Sequence, residues 1–267
     1  MLIAQITDTH VVARGKRVRE RWDTGAALER AVARLADLRR APDIVIFTGD
    51  LVDDGRPESY RHFRERIAGL GPPFLAIPGN HDSREALAAA FPELTWHAEA
   101  TGFRQVDWRF PGRRVLGLDT LIPGETRGEL CQRRLDWLAA RLAEDPETPV
   151  LIALHHPPFA ARIPFMDAYG LAGREALGAL LADHPQVVRL ICGHLHRPVA
   201  ASVGGRPVTC CPGTSLQVPL WQAEGFPPDL VDEPAAIHLH DWRDPWSVLT
   251  HTLYVRPREP WNETDPT

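Results

Sequence analysis

Short apolar runs bounded by polar breaks recur along most of this chain. LIAQIT (2–7), IVIFT (44–48), FLAIP (74–78), VLIAL (150–154) and VVRLIC (187–192) have the length and β-branched content of buried strands, and predict strands over 2–7, 43–48, 73–77, 149–154 and 187–192. Between them the apolar positions fall at helical spacing. Leu28, Val32, Leu35 and Leu38 predict a helix near 24–40 with Asp23 or Thr24 as its N-cap. Further helices are predicted near 57–69, near 130–143 (Leu135, Trp137, Leu138 and Leu142) and near 173–183. FRQVDWRF and RRVLGLDT flank Pro111-Gly112 and predict a hairpin, and two more strands, 197–203 and 206–211, flank Gly204-Gly205. Strands alternating with helices indicate an α/β fold with helices outside the sheet. After about residue 213 the pattern shifts to many prolines, Trp221, Trp242, Trp246 and Trp261, and few helical periods. Residues 1–213 are therefore expected to form the main domain. Residues 214–267 are expected to pack on it as a strand-and-loop wrap, a cap or a dimer arm.

The polar residues that close these runs are not ordinary turn formers. Asp8-Thr9-His10, Gly49-Asp50, Gly79-Asn80-His81-Asp82, His155-His156-Pro157 and Gly193-His194-Leu195-His196 each follow one predicted strand. Strand ends are where an open α/β sheet gathers side chains from distant parts of the chain. Carboxylate, imidazole and amide oxygen together suit divalent cations. Two cations about 3.5–4 Å apart can neutralise a phosphate and supply hydroxide for attack on phosphorus. Asp50, at the end of a central strand, is the candidate to bridge them. His194 and His196, two apart at a strand end, are expected to point the same way. The remaining histidines, His62, His97, His184, His238, His240 and His251, lack such a setting and read as structural or surface residues.

The series D-x-H, G-D, G-N-H-D, H-x-P and G-H-x-H resembles the calcineurin-like metallophosphoesterase superfamily. ITDTH (6–10), FTGDLVDDGRPESY (47–60), IPGNHD (77–82), GLDT (117–120), ALHHPP (153–158) and ICGHLH (191–196) are similar to its class III cyclic nucleotide phosphodiesterase and glycerophosphodiesterase branch. The resemblance covers roughly residues 1–213. It implies a four-layer α/β/β/α sandwich with metals at one edge. It also implies Asp8, His10, Asp50 and His196 on one cation, and Asp50, Asn80, His155 and His194 on the other. The metals could be Fe, Mn, Zn, Co or Mg. His81, beside the ligand Asn80, is expected to face the substrate as a general acid or charge stabiliser. Asp82 is expected to orient or support it, and the role of His156 stays open. Asp54 stands where phosphoprotein phosphatases of the superfamily carry a phosphate-binding Arg. This favours a singly charged diester, although Arg84, Arg19 or Arg21 could supply a cation.

The expected activity is hydrolysis of small phosphodiesters, 3′,5′-cyclic nucleotides or glycerophosphodiesters, by metal-bound hydroxide. A nuclease or phosphomonoesterase on the same fold is the enzyme alternative, and a scaffold without turnover a third reading. Net charge of −5 with no basic stripe argues against a dedicated nucleic-acid surface. Hydrophobic and charged contents of 44% and 24% are those of a soluble globular chain. No apolar run approaches the ~18 residues of a membrane span, and the chain starts on a strand without a secretory signal. Cys131, Cys192, Cys210 and Cys211 lack zinc-site spacing and read as free thiols. Together these point to the cytoplasm, to a small diester as partner, and to a possible homo-oligomer through the C-terminal segment.

Overall fold

In the computed structural model, residues 1–96, 102–220 and 230–255 are described. Trp221, Trp261 and His97 lie outside them. The first sheet runs β13-β12-β1-β2-β3, with β1 Leu2–Ile6, β2 Ile44–Thr48, β3 Phe74–Ile77, β12 Ala236–Asp244 and β13 Ser247–Tyr254. β1, β2 and β3 are parallel neighbours, while β12 joins β1 and β13 antiparallel. The second sheet runs β10-β11-β9-β7-β5-β4, with β4 Val106–Phe110, β5 Arg113–Leu118, β7 Val150–Leu154, β9 Val187–Cys192, β10 Val199–Val203 and β11 Arg206–Cys210. A two-stranded ribbon pairs β6 Gly128–Glu129 with β8 Leu171–Ala172.

The helices are α1 Thr24–Ala36, α2 Pro57–Arg66, α3 Arg84–Ala90, α4 Gln132–Ala143, α5 Pro164–Ala168 and α6 Arg174–Ala182. Asp23 caps α1 by accepting the Ala26 N–H at 3.0 Å. This helix stops at Ala36, short of the expected residue 40. Leu38 closes a tighter turn on the Leu35 carbonyl, and the chain then turns toward Pro42, whose ring disfavours helix before it. Pro57 starts α2 at a position where its missing N–H costs nothing.

Every residue of β2 and of β7 is buried, which explains their uninterrupted apolar runs. Leu28, Val32 and Leu35 of α1 and Tyr60 and Phe63 of α2 pack with Ala4, Val45 and Phe47 of the first sheet. Ile3, Ile44, Ile46 and Ile77 of that sheet meet Val115, Leu151, Ala153 and Ile191 of the second. Leu135, Leu138 and Leu142 of α4, with Leu177 and Leu181 of α6, cover Leu116, Ile152 and Leu190. Gln5, fully buried, donates from Nε2 to Thr48 Oγ1 and to the Cys192 carbonyl, and so ties the two sheets just below their strand exits. The four cysteines are free thiols, and no described helix is long and apolar enough to cross a membrane.

Candidate metal centre

The carboxyl ends of β1, β2, β3 and β9 open on one cavity of about 330 Å³, and the β7 exit is buried beneath it. Asp8 and His10 leave β1, Asp50 leaves β2, Asn80 and His81 follow β3, His155 follows β7, and His194 and His196 follow β9. Of the eight non-glycine residues with positive φ among those described, five are Asp8 (50°), His10 (45°), Asp50 (49°), His194 (70°) and His196 (50°). L-residues avoid this region unless their surroundings hold them there. The two C-terminal histidines therefore converge by a route different from strand alternation. β9 ends at Cys192, and each histidine is turned in by a left-handed backbone, with Leu195 between them buried in the core.

The side chains meet acceptor against acceptor. The outer nitrogen of three imidazoles is committed: His155 Nδ1–H donates to the Thr48 carbonyl (2.8 Å), His196 Nδ1–H to the Leu216 carbonyl (2.8 Å), and His10 Nδ1–H to Asp53 Oδ1 (3.0 Å). Their Nε2 lone pairs then face one another or an oxygen. His10 Nε2 lies 3.2 Å from His196 Nε2, and His155 Nε2 lies 3.1 Å from Asn80 Oδ1 and 3.4 Å from Asp50 Oδ2. Asn80 Oδ1 also lies 3.1 Å from His194 Nδ1. Asp50 Oδ2 sits between the two groups, 3.6 Å from His10 Nε2. Asp8 receives the His194 backbone N–H (3.0 Å) and approaches His196 Nε2 (3.4 Å). Such lone-pair convergence in a buried place is unfavourable unless a positive charge lies between the donors. The donor atoms of Asp8, His10 and His196, and those of Asp8, Asp50 and His155, lie within 4.8 Å of one another. The residues present thus fit cations, and the groups can hold a dimetal centre.

The electrostatics agree. Burial raises Asp50, but His155, His81 and His10 outweigh it and hold its carboxyl well below the usual range. Burial lifts Asp8 to about 6, against the pull of His155. Burial opposes charge on His155, yet Asp50 and Asp8 push its pKa up to about 10. Burial lowers His196 to about 4, and burial with His156 and His155 nearby holds His194 far below its ordinary value. Neutral imidazole is the form that binds metal, so His194 and His196 are ready as ligands, whereas His155, held as imidazolium by Asp50 and Asp8, gives up a proton when a cation takes its place between them.

His81 lines the cavity with its ring 39% exposed. Its Nδ1–H donates to the Asp53 carbonyl at 2.7 Å, which leaves Nε2 free of that bond. Its backbone N–H donates to Asp50 Oδ1 (2.9 Å). Burial lowers its pKa, but Asp50 and the Asp53 carbonyl raise it further, for a net upward shift. Asp82 raises the His81 pKa by its charge, but its hydrogen bonds go elsewhere. Its carboxylate accepts the N–H groups of Gly79, Leu51 and Val52 and the Tyr60 hydroxyl (2.7 Å), clamping the loops after β2 and β3 together. His156 is buried and saturated: Nε2–H donates to the Thr126 carbonyl, and Nδ1 accepts from Thr120 Oγ1. It braces the far wall of the cavity. Burial and His155 lower its pKa to about 3.

Asp54, the sequence departure, accepts from the Arg56 N–H and does not line the cavity. Asp53 does line it, and sequence reading passed over this residue although it is the second Asp of the G-D-x-x-D stretch. Among the arginines, Arg84 is locked on Asp119 (2.6 and 2.8 Å), Arg21 stacks over Trp22, and Arg19 lines the cavity. The opposite wall is apolar: Val18, Phe165, Met166, Leu216, Val218 and Leu230. A cleft of about 480 Å³ between the β3 and β4 edges is lined by Phe74, Leu94, Trp96 and Trp108 and gathers no such ligand set.

A sequence profile of the calcineurin-like phosphoesterase family matches residues 1–198. A probable glycerophosphodiester phosphodiesterase of Arcobacter nitrofigilis is 38% identical over 256 residues, covering 96% of this chain and 93% of that protein. A probable cyclic nucleotide phosphodiesterase of Rhodopseudomonas palustris is 38% identical over 245 residues, covering 90% and 88%. Among solved structures, a dimetal phosphatase from Danio rerio superposes with a TM-score of 0.69 at 16% identity, covering 96% of both chains, a likeness of fold.

Proposed function

The chain belongs to the calcineurin-like phosphoesterase family, and we propose that it is a dinuclear metal-dependent phosphodiesterase acting on small diesters. It is a phosphoric diester hydrolase by its relatives, whose names span glycerophosphodiesters and cyclic nucleotides. The observation that carries the reading is the convergence of imidazole and amide lone pairs on Asp50 from both sheets. In this reading Asp8, His10, Asp50 and His196 hold one cation, and Asp50, Asn80, His155 and His194 the other, drawn from Fe, Mn, Zn, Co or Mg. When bound, the pair neutralises the charge of the diester and lowers the pKa of water at phosphorus.

The chain's own residues supply the rest. His81, its Nδ1 held by the Asp53 carbonyl, can give the Nε2 proton to the departing alkoxide. Asp53 orients both His10 and His81, and Asp82 fixes the two loops that carry Asp50 and Asn80. The apolar wall excludes water from one side of the substrate. A cavity of about 330 Å³ suits a small diester. Residues 1–213 would carry catalysis, and 214–267, which include Leu216, Val218 and Leu230 of the wall, would act as cap and oligomerisation segment. A cytoplasmic location belongs to the same reading, as does a homo-oligomer.

The test is a substrate panel with metal-reconstituted protein: cyclic nucleotides, glycerophosphodiesters and bis(p-nitrophenyl) phosphate, with p-nitrophenyl phosphate as the monoester. Diesters are expected to show the higher kcat/KM. A clear preference for the monoester refutes the diester assignment.

A further inference from the structure

β13 is an edge that invites pairing. It spans eight residues, Ser247–Tyr254, and among the described residues it pairs only with β12. The other outer strands, β3, β4 and β10, have four or five residues. Exposed strand edges are usually blunted by Lys, Pro, bulges or brevity. β13, SVLTHTLY, has no formal charge with neutral His and no proline, and the only register shift lies between Asp241 and Asp244, toward the turn. It leaves Leu249 57% and Tyr254 48% exposed, with Trp246 57% exposed at its mouth.

The sequence of this strand reads nearly the same in both directions about His251: Leu249-Thr250-His251-Thr252-Leu253 is a palindrome, flanked by the apolar Val248 and Tyr254. Two copies laid antiparallel about a two-fold axis at His251 would therefore match like with like. Thr250 meets Thr252 of the second copy, Leu249 meets Leu253, and Val248 meets Tyr254.

The hydrogen bonding permits that register. Val255 N–H donates to the Ala235 carbonyl, so in the alternation of an antiparallel ladder the odd-numbered residues of β13 address β12. Thr250, Thr252 and Tyr254 then turn their N–H and C=O groups outward. Val248 agrees with this, since its carbonyl accepts from Arg189 of the second sheet at 2.5 Å. In the palindromic register Thr250 and Thr252 of one copy exchange both backbone bonds with Thr252 and Thr250 of the other. Leu249 and Leu253 fall at the non-hydrogen-bonded positions, where opposed side chains approach most closely. A shift by one residue would set outward groups against inward ones, and a shift by two would lose both Leu–Leu matches and keep a single Thr–Thr pair.

We propose that this chain forms a two-fold dimer by antiparallel β13–β13 pairing centred on His251, making one continuous sheet across two copies. Such an interface is isologous, each residue meeting its counterpart in both directions. The inference makes definite the oligomer part of the reading above and does not depend on the catalytic part.

The test is sedimentation equilibrium of the full chain at micromolar concentration, with three variants. The parent is expected at twice its 29.8 kDa mass. Thr252→Pro removes an outward N–H that β12 does not use, and Leu249→Lys places a charge against Leu253 of the second copy. Each is expected to weaken the dimer at least about tenfold while melting temperature and diester turnover per chain stay near the parent's. His251→Cys is expected to form a disulfide-linked dimer on mild oxidation, and neither the parent nor Thr252→Cys should do so. A monomeric parent overturns the proposal, as does a dimer that ignores both weakening variants and gives no link through His251→Cys.

Discussion

Gly49 offers a sharp test of how the backbone holds the metal centre. It links Thr48 to Asp50 with φ of 96°, and Gly49→Ala perturbs it in two ways. A left-handed backbone costs an alanine about 1–2 kcal/mol. The added β-carbon would also overlap the His155 ring, 2.7 Å from its Cγ, and sit 2.8 Å from the Gly79 nitrogen. Neither neighbour can easily withdraw. His155 is fully buried and bonded through Nδ1 to the Thr48 carbonyl, and Gly79 N–H is bonded to Asp82. The ring must therefore move by several tenths of an ångström, and its Nε2 leaves Asp50 and Asn80. Losing support for one ligand typically weakens metal binding about 10–100-fold, and a displacement near 1 Å can cost ~10²-fold in rate. Gly112→Ala is the matched control, for it has φ of 67° and nothing within 4 Å of the new carbon. Both variants should lose a few degrees of melting temperature, at about 2–4 °C per kcal/mol. Only Gly49→Ala should lose metal, measured by mass spectrometry after dialysis against graded metal, and turnover with it. If Gly49→Ala keeps both cations at parental affinity and full rate, the steric account of His155 placement is refuted.

Other outcomes follow from particular side chains. His81→Ala should keep both metals and lose roughly 10²–10⁴ in kcat, less for a nitrophenolate leaving group than for an alkoxide, in paired rate measurements; metal loss, or equal slowing of both substrates, contradicts the acid role. Burial lowers the His238 pKa to about 4, so the unfolded chain binds the proton first; this ring's stability contribution is intact above about pH 6.5, falls as pH drops toward 4, and is down by about 2 kcal/mol at pH 5. Urea midpoints in chelator should accordingly fall less with acid in His238→Gln than in the parent. Arg114, 1% exposed and bonded to Asp107 at 2.6 Å, should cost about 3–5 kcal/mol on change to methionine; adding Asp107→Leu should recover most of this in denaturant titrations.

The parallel strands and their site residues were legible because burial on both faces writes a strand as an unbroken apolar run, and chemistry follows at its exit. β12 was not legible as a strand. Both of its faces are covered, but His238 and His240 occupy the inner one, where His240 Nε2–H donates to Gln5 Oε1. Hydropathy reads those histidines as polar breaks. α3 is too short, at seven residues, to show a period. In the site, residue types announced the ligands, but the partners of those ligands did not. Asp53 holds His10 by its side chain and His81 by its carbonyl, and a backbone carbonyl carries no sequence signal. The first-loop arginines looked equivalent, and only the path of the chain separates Arg19, on the cavity, from Arg21, on Trp22.

The left-handed residues around the cavity also carry a cost to the fold as a whole. Five such positions, at about 1–2 kcal/mol each, burden the fold by an amount comparable to the entire net stability of an ordinary domain. Selection for folding alone would discard them, since glycine at any of the five relaxes the chain. Asp8, His10, Asp50, His194 and His196 all hold this backbone, so the fold bears a stability cost that the chemistry of the cavity, and not packing, accounts for.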